Sequence, residues 1–230
     1  MFDQMNRCLL CLGRATGQAD CLCGRCLEDL PWLGPACQRC ALPLPDGGLI
    51  CGQCQRRPPA FIRTFAPFLY SFPLDTLIPA FKYHSQLSYG RLLARLLTQA
   101  VLHHYQEHEL DWPDSLLPIP LHRARQAQRG YNQAFELARP LARQLKLPLD
   151  RTNLRRQRST ISQQGLNATT RQQNLKHAFK CQYPDRVIDQ HIALIDDVVT
   201  TGTTANEAAH TLLNAGAASV TVWCVARTDR

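Results

Sequence analysis

The segment IALIDDVVTTGTT, residues 192–204, sets the tightest limit on the fold. Ile192-Ala193-Leu194-Ile195 is apolar at four consecutive positions, so neither side of an extended chain there has a polar face for water. Such a run suits a strand covered on both faces of a parallel sheet, and parallel strands require helical crossovers. Asp196 and Asp197 follow where that strand is expected to end, and Thr200-Thr201-Gly202-Thr203-Thr204 makes a small hydroxyl-rich turn. A helix is expected next. Ala205, Ala208, Ala209 and Leu212 share one face, Thr204 and Glu207 have the spacing of a capping box, and Gly216 ends it.

A helix N-terminus behind a glycine-containing turn presents backbone N–H groups and the positive end of the helix dipole, which together suit a phosphate. Carboxylates beside it accept hydrogen bonds from sugar hydroxyls. A ribose bearing a 5′-phosphate has both groups at that spacing. The order of apolar strand, acidic pair, two spacers, TTGTT and helix resembles the phosphoribosyl pyrophosphate (PRPP) motif of type I phosphoribosyltransferases. The resemblance implies that Asp196 and Asp197 hold the ribose 2′- and 3′-hydroxyls and that Thr200, Thr201, Gly202, Thr203 and Thr204 hold the 5′-phosphate. Many base-salvage members have a second glycine where this chain has Thr203.

The chain has 230 residues, 45% of them apolar, enough for one medium domain and a small one. It has no run long enough to span a membrane, and its start, MFDQMNRCLL, lacks the apolar core of a secretory signal, so a cytoplasmic protein is expected. Eleven cysteines in a reducing compartment point to metal rather than disulfides. The net charge of +8 is unevenly placed: residues 121–180 hold 13 Lys/Arg against Glu136 and Asp150, while the remainder is slightly acidic. A segment of that kind attracts a polyanion, whether pyrophosphate or nucleic acid.

Residues 1–58 contain four CxxC pairs: Cys8/Cys11, Cys23/Cys26, Cys37/Cys40 and Cys51/Cys54. Each pair brings two thiolates from one turn to the same tetrahedral ion, so four pairs supply two all-cysteine zinc sites in a stretch too short and polar to build a core alone. The pairing, sequential or interleaved, stays open. Cys21 competes with Cys23, which is favoured because it completes a CxxC. Four thiolates leave no open position, so the zinc is structural, and such a module also serves as a docking surface.

Pro58-Pro59 marks the expected boundary with a second domain, residues 59–230. One or two strands are expected over 61–70 and a short helix over 74–82. An amphipathic helix should begin at Tyr89, with Leu92, Leu93, Leu96, Leu97, Ala100 and Val101 as its stripe. His103, His104 and His108 lie at its C-terminal end, as solvated side chains beside the negative pole. Residues 115–120 read as a strand entering a loop, 122–130, which carries Arg123, Arg125 and Arg129 and no acid. This loop is expected to clamp a pyrophosphate through Arg123 and Arg129, with Gly130 allowing close approach of the backbone. A helix follows with Tyr131, Ala134, Phe135, Ala138, Leu141, Ala142 and Leu145 on one face, and Pro140 should kink or divide it. Residues 219–226 make a last strand.

PIPLHRARQAQRGYNQAFELARPLA, residues 118–142, resembles the signature of the ComF/GntX family of phosphoribosyltransferase-like proteins. The resemblance extends over Arg158 to Leu166, then Arg171, Asn174, Ala178 and Phe179, and takes in the CxxC pairs and the Lys82-Tyr83 pair. It implies a part in DNA uptake and natural competence, beside other competence proteins. Arg155, Arg156, Arg158 and Arg171 occupy the position of the type I lid over the pyrophosphate, where they would meet it or single-stranded DNA. The fold expected is a parallel twisted α/β sheet of type I phosphoribosyltransferase kind, preceded by a small zinc-ribbon module. PRPP with Mg²⁺ is the expected ligand. The alternatives are an active transferase onto a small nitrogen acceptor and an adaptor that docks through its zinc module.

Overall fold

The computed structural model describes residues 7–15, 21–44, 48–84, 86–157 and 178–229. Its centre is a wholly parallel sheet. β1 (Arg63–Phe65) and β2 (Phe68–Leu69) both pair with β7 (Ser219–Arg227), which pairs with β6 (His191–Val199), which pairs with β3 (Ser115–Pro118). A separate antiparallel pair joins β4 (Leu154–Arg156) to β5 (Phe179–Cys181).

The apolar run on β6 is buried on both sides, and its alternation divides the core. Ala193 and Ile195 face one cluster with Trp223 and Val225 of β7, while Ile192 and Leu194 face the other with Val220, Val222 and Cys224. The first cluster is covered by α3 (Leu74–Tyr83), α4 (Leu87–Glu107) and α6 (Gln133–Leu145). The second is covered by α7 (Thr203–Leu213), Phe61 and residues of β4 and β5. Within the first, Trp223 donates its indole N–H to the Tyr105 hydroxyl at 3.1 Å, so the largest buried side chain leaves no orphan donor. At Gly90, a Cβ would stand 2.4 Å from the Phe81 ring, so the missing side chain is what lets α3 lie close on α4.

Four local expectations change. The segment read as a loop after β3 is a helix, α5 (Arg123–Arg129), with His122 Nδ1 accepting from Ala124 N–H and Gly130 as its left-handed C-cap. Arg, Ala and Gln are strong helix formers, but α5 buries nothing, so there was no apolar period to detect. α6 runs unbroken through Pro140. β6 does not end before its acids: β3 pairs with it only to Ile195, whereas β7 continues to Val199. The Thr204–Glu207 capping box does not form, because the N-cap of α7 is Gly202 at φ 74° and no side chain caps it.

The cysteine-rich segment, with short helices α1 (Gly24–Glu28) and α2 (Gly52–Arg56), lies against this sheet. Cys8, Leu22 and Leu30 belong to the first core cluster. Trp32 bridges to Phe68, Leu33 N–H donates to the Pro67 carbonyl, and Arg227 Nε donates to the Cys40 carbonyl at 2.9 Å.

Candidate sugar-phosphate site

At the carboxyl end of β6, Asp196 and Asp197 project from the part of the strand that only β7 pairs. The two acids differ sharply. Asp197 is buried and fully engaged: Oδ1 meets Lys82 Nζ at 2.9 Å and accepts from Val198 N–H, and Oδ2 takes a long 3.4 Å contact from Gln133 Nε2. Asp196 is half-buried and accepts from the Asp197 amide at 2.9 Å. Burial and the adjoining Asp197 carboxylate push Asp196 up to about 7, against the pull of Lys82. Burial disfavours the Lys82 ammonium, but Asp197 outweighs it and raises Lys82 above its ordinary value.

Lys82 reaches the acids from the last turn of α3. That turn is held from two sides, by the close α3–α4 packing at Gly90 and by the Tyr131 hydroxyl, which donates to the Phe81 carbonyl. Beyond the acids the chain passes Thr200 and Thr201 into α7. Gly202 takes the left-handed conformation that an L side chain rarely adopts, and Thr201 and Thr203 pair their hydroxyls at 2.7 Å. Thr203 N–H makes a long 3.4 Å contact to Thr201 Oγ1, and the first turn of α7 lines, with Asp196, Asp197, Thr200 and Gly202, a cleft of about 570 Å³.

The arginines divide between this cleft and a second one. Arg125, Arg129 and Arg156 line the acidic cleft, together with Lys82, Tyr70 and Tyr83. Arg123 instead lines the adjoining groove of about 950 Å³, with Arg151, Arg155, Arg156, Lys180 and Gly130. Glu136 is the one acid along that groove among the described residues. Arg156 reaches both. Arg158 and Arg171 lie outside the described residues. Sequence reasoning gave no role to Lys82, Gln133 or Tyr83. The Lys82-Tyr83 pair was visible as a motif, but its distance from the acids along the chain concealed the contact.

The cysteines resolve the open pairing as sequential: Cys8, Cys11, Cys23 and Cys26 form one quartet and Cys37, Cys40, Cys51 and Cys54 the other, each with its sulfurs within 4.8 Å of one another. Cys21 belongs to neither. Zn–S bonds of about 2.3 Å in a tetrahedron separate sulfurs by about 3.8 Å. Cys11–Cys23 and Cys40–Cys51 are each 3.7 Å apart, so both quartets fit zinc. Burial opposes ionisation of Cys8, but backbone N–H groups of Cys11, Cys23 and Leu10 bring it down to about 6, ready for a metal.

Comparison with known proteins agrees with both halves. Residues 132–230 match the Phosphoribosyl transferase domain and residues 5–55 the Double zinc ribbon domain. The class is thus a phosphoribosyltransferase-type α/β domain joined to paired zinc ribbons. DNA utilization protein YhgH of Escherichia coli (strain K12) is 40% identical over 192 residues, covering 84% of each chain. Competence protein F of Haemophilus influenzae is 37% identical over 226 residues, covering 96% of each. Competence protein ComFC of Bacillus subtilis is 36% identical over 120 residues, 50% of this chain and 47% of that one. The chain belongs to the ComF/GntX family, alongside these DNA utilization and competence proteins.

Proposed function

We propose that the protein binds PRPP in the acidic cleft and single-stranded DNA along the neighbouring basic groove, and that it acts in DNA uptake or utilisation in the cytoplasm. One observation carries the reading: an acidic pair and the N-terminal turn of α7 share a cleft with three arginines. Asp196 accepts a ribose hydroxyl, with Asp197 held beside it by its contact to Lys82. The turn from Thr200 to Thr204 receives the 5′-phosphate, and Arg129, with Arg123 and Gly130 from the adjoining groove, receives the pyrophosphate. Mg²⁺ entering with PRPP would spread the pyrophosphate charge, and Asp196 is the carboxylate available to it. Arg155 and Arg156, with Arg151 and Lys180, follow a nucleic-acid backbone, and Arg151 over the Phe135 ring at 5.4 Å supplies the aromatic company such grooves use.

A second reading, glycosyl transfer from PRPP, draws on Asp196 being held near neutrality, where a general base works best. The C1′–O bond to pyrophosphate would break as a C1′–N bond forms, pyrophosphate leaving with the electron pair and the acceptor nitrogen losing a proton. Release of pyrophosphate from PRPP by the full chain, screened over nitrogen acceptors, separates this reading from binding alone.

The proposal is tested by calorimetric titration of the zinc-loaded protein with PRPP and Mg²⁺, with and without oligo-dT. Saturable PRPP binding, together with oligo-dT binding that weakens steeply with salt, is expected. Absence of PRPP binding, or oligo-dT binding indifferent to salt, overturns the corresponding half.

A further inference from the structure

Three contacts tie the second cysteine quartet to the turn between β6 and α7. The first runs through Arg227, the last residue of β7, which is only 3% exposed. Its Nε donates to the Cys40 carbonyl at 2.9 Å, and its Nη1 makes a longer 3.4 Å contact to the carbonyl of Val199, the residue before Thr200. A guanidinium holds its donors in one rigid plane, so a shift of one carbonyl is felt at the other. The second contact starts at Ala60, in the link that follows α2. Its N–H donates to Asn206 Oδ1 at 2.7 Å, and the Asn206 N–H donates to the Gly202 carbonyl at 2.8 Å. The third is packing: the tip of the buried Phe61 ring lies 3.7 Å from where a Cβ on Gly202 would stand. Ala41, Phe61, Val199 and Ala205 share one buried cluster. Ala60, Phe61, Asn206 and Arg227 line neither cleft, so they hold the turn from behind.

The quartet is built to pull on these contacts. Ala41 follows Cys40 at φ 55°, a left-handed conformation that alanine adopts only at a cost. Its N–H donates to the Cys37 carbonyl at 2.8 Å, and a zinc ion on Cys37 and Cys40 would pin the same knuckle. Without metal the knuckle is free to leave that conformation and carry the Cys40 carbonyl with it. The first quartet is placed differently, since Cys8 packs in the cluster that α3 and α4 cover.

We infer that metal occupancy of the second quartet regulates the β6–α7 turn, with Arg227 and Asn206 as the positioning residues that transmit it. With zinc bound, Thr200–Thr204 keep the shape that receives a phosphate, and loss of the metal releases them. The inference rests on the sugar-phosphate reading of that turn and adds its control. Zinc on one side and PRPP on the other become coupled ligands, each strengthening the binding of the other.

The test uses the full chain. Cys37→Ser/Cys54→Ser removes the second metal and keeps the first, checked as one zinc per chain. Hydrogen exchange of amides 200–206 should quicken about tenfold while α4 keeps its protection, and PRPP affinity with Mg²⁺ should fall about tenfold. Arg227→Met/Asn206→Ala, with both zincs in place, should reproduce both changes. Reciprocity supplies a readout that a merely structural role would not move. In equilibrium competition with a chelator, saturating PRPP should strengthen retention of the second zinc about tenfold in the wild type, and this gain should vanish in Arg227→Met/Asn206→Ala. Unchanged exchange at 200–206, an acceleration that spreads equally to α4, or zinc retention indifferent to PRPP in a wild type that binds it would refute the coupling and leave the sugar-phosphate site standing. If the cysteine variant does not fold, the Arg227→Met/Asn206→Ala chain decides by the same exchange: wild-type protection at 200–206 refutes the inference. If the wild type binds no PRPP, the function proposed above falls, and exchange alone shows whether the metal holds the turn.

Discussion

Two clefts meet at Arg156, and their linings answer different questions about a ligand. The larger carries Arg123, Arg151, Arg155 and Lys180 against a single acid, Glu136, among the described residues. That arrangement attracts any chain of phosphates and reads little else. The smaller cleft has arginines too, but shares them with Asp196, Asp197 and the first turn of α7. A polyanion gains nothing from those carboxylates, whereas a molecule with hydroxyls in its middle and phosphates at its ends meets a partner at each point. Cationic charge alone therefore does not distinguish the two clefts. The acids separate the two clefts, and the half-buried Lys82, paired with Asp197, keeps the two carboxylates together.

The contrast can be broken at its base by removing zinc from both quartets with a chelator. Cys8, Leu22 and Leu30 lie in the same core as α3 and α4, so metal loss should loosen both clefts together. Scanning calorimetry is expected to show a melting temperature lower by more than about 10 °C. An unchanged main transition would mean that the ribbons are an independent appendage.

A more selective break is Lys82→Met, which leaves Asp197 buried and unpaired. The expected loss is about 3 kcal/mol of stability by denaturant titration, with sugar-phosphate affinity falling while oligo-dT binding by the folded protein persists. The opposite dissociation comes from Arg155→Ala/Lys180→Ala. Oligo-dT affinity should drop about tenfold and its log–log salt slope flatten by about 1.4, with PRPP affinity unchanged.

A pH series sharpens the difference further. Asp196, raised to about 7, is neutral below that pH and ionised above it. A hydroxyl acceptor is strongest when ionised, so PRPP affinity should rise up to about tenfold between pH 6 and 8. Oligo-dT binding should stay nearly flat, and Asp196→Asn should remove the part of the rise that the phosphates of PRPP do not cause. The same raised value means that the folded state holds an extra proton from about pH 4 to 7. Stability therefore falls as pH climbs through that window, and Asp196→Asn should abolish the fall.

Much of this was legible in the sequence because it is local. The apolar run, the acids and the threonine turn are consecutive, and the buried alternation of 192–195 on β6 follows directly from them. The CxxC pairs named all eight cysteines of the two quartets, but pairing depends on how the turns stack, which spacing does not encode. α5 was hidden because a helix that buries no residue leaves no apolar period. The Lys82–Asp197 ion pair joins residues more than a hundred positions apart, and neither carries a mark of the other. The same holds for Gln133, which looks like an ordinary helix residue until its oxygen is found buried without a donor.

The most direct measurement is PRPP binding to wild type and Asp196→Asn, made alongside oligo-dT binding to both. The expected result is a loss of about 30-fold or more in PRPP affinity with oligo-dT affinity unaltered. Equal PRPP binding by the two proteins, or a parallel loss of both ligands, would contradict the assignment of the acidic cleft to the sugar and the basic groove to DNA.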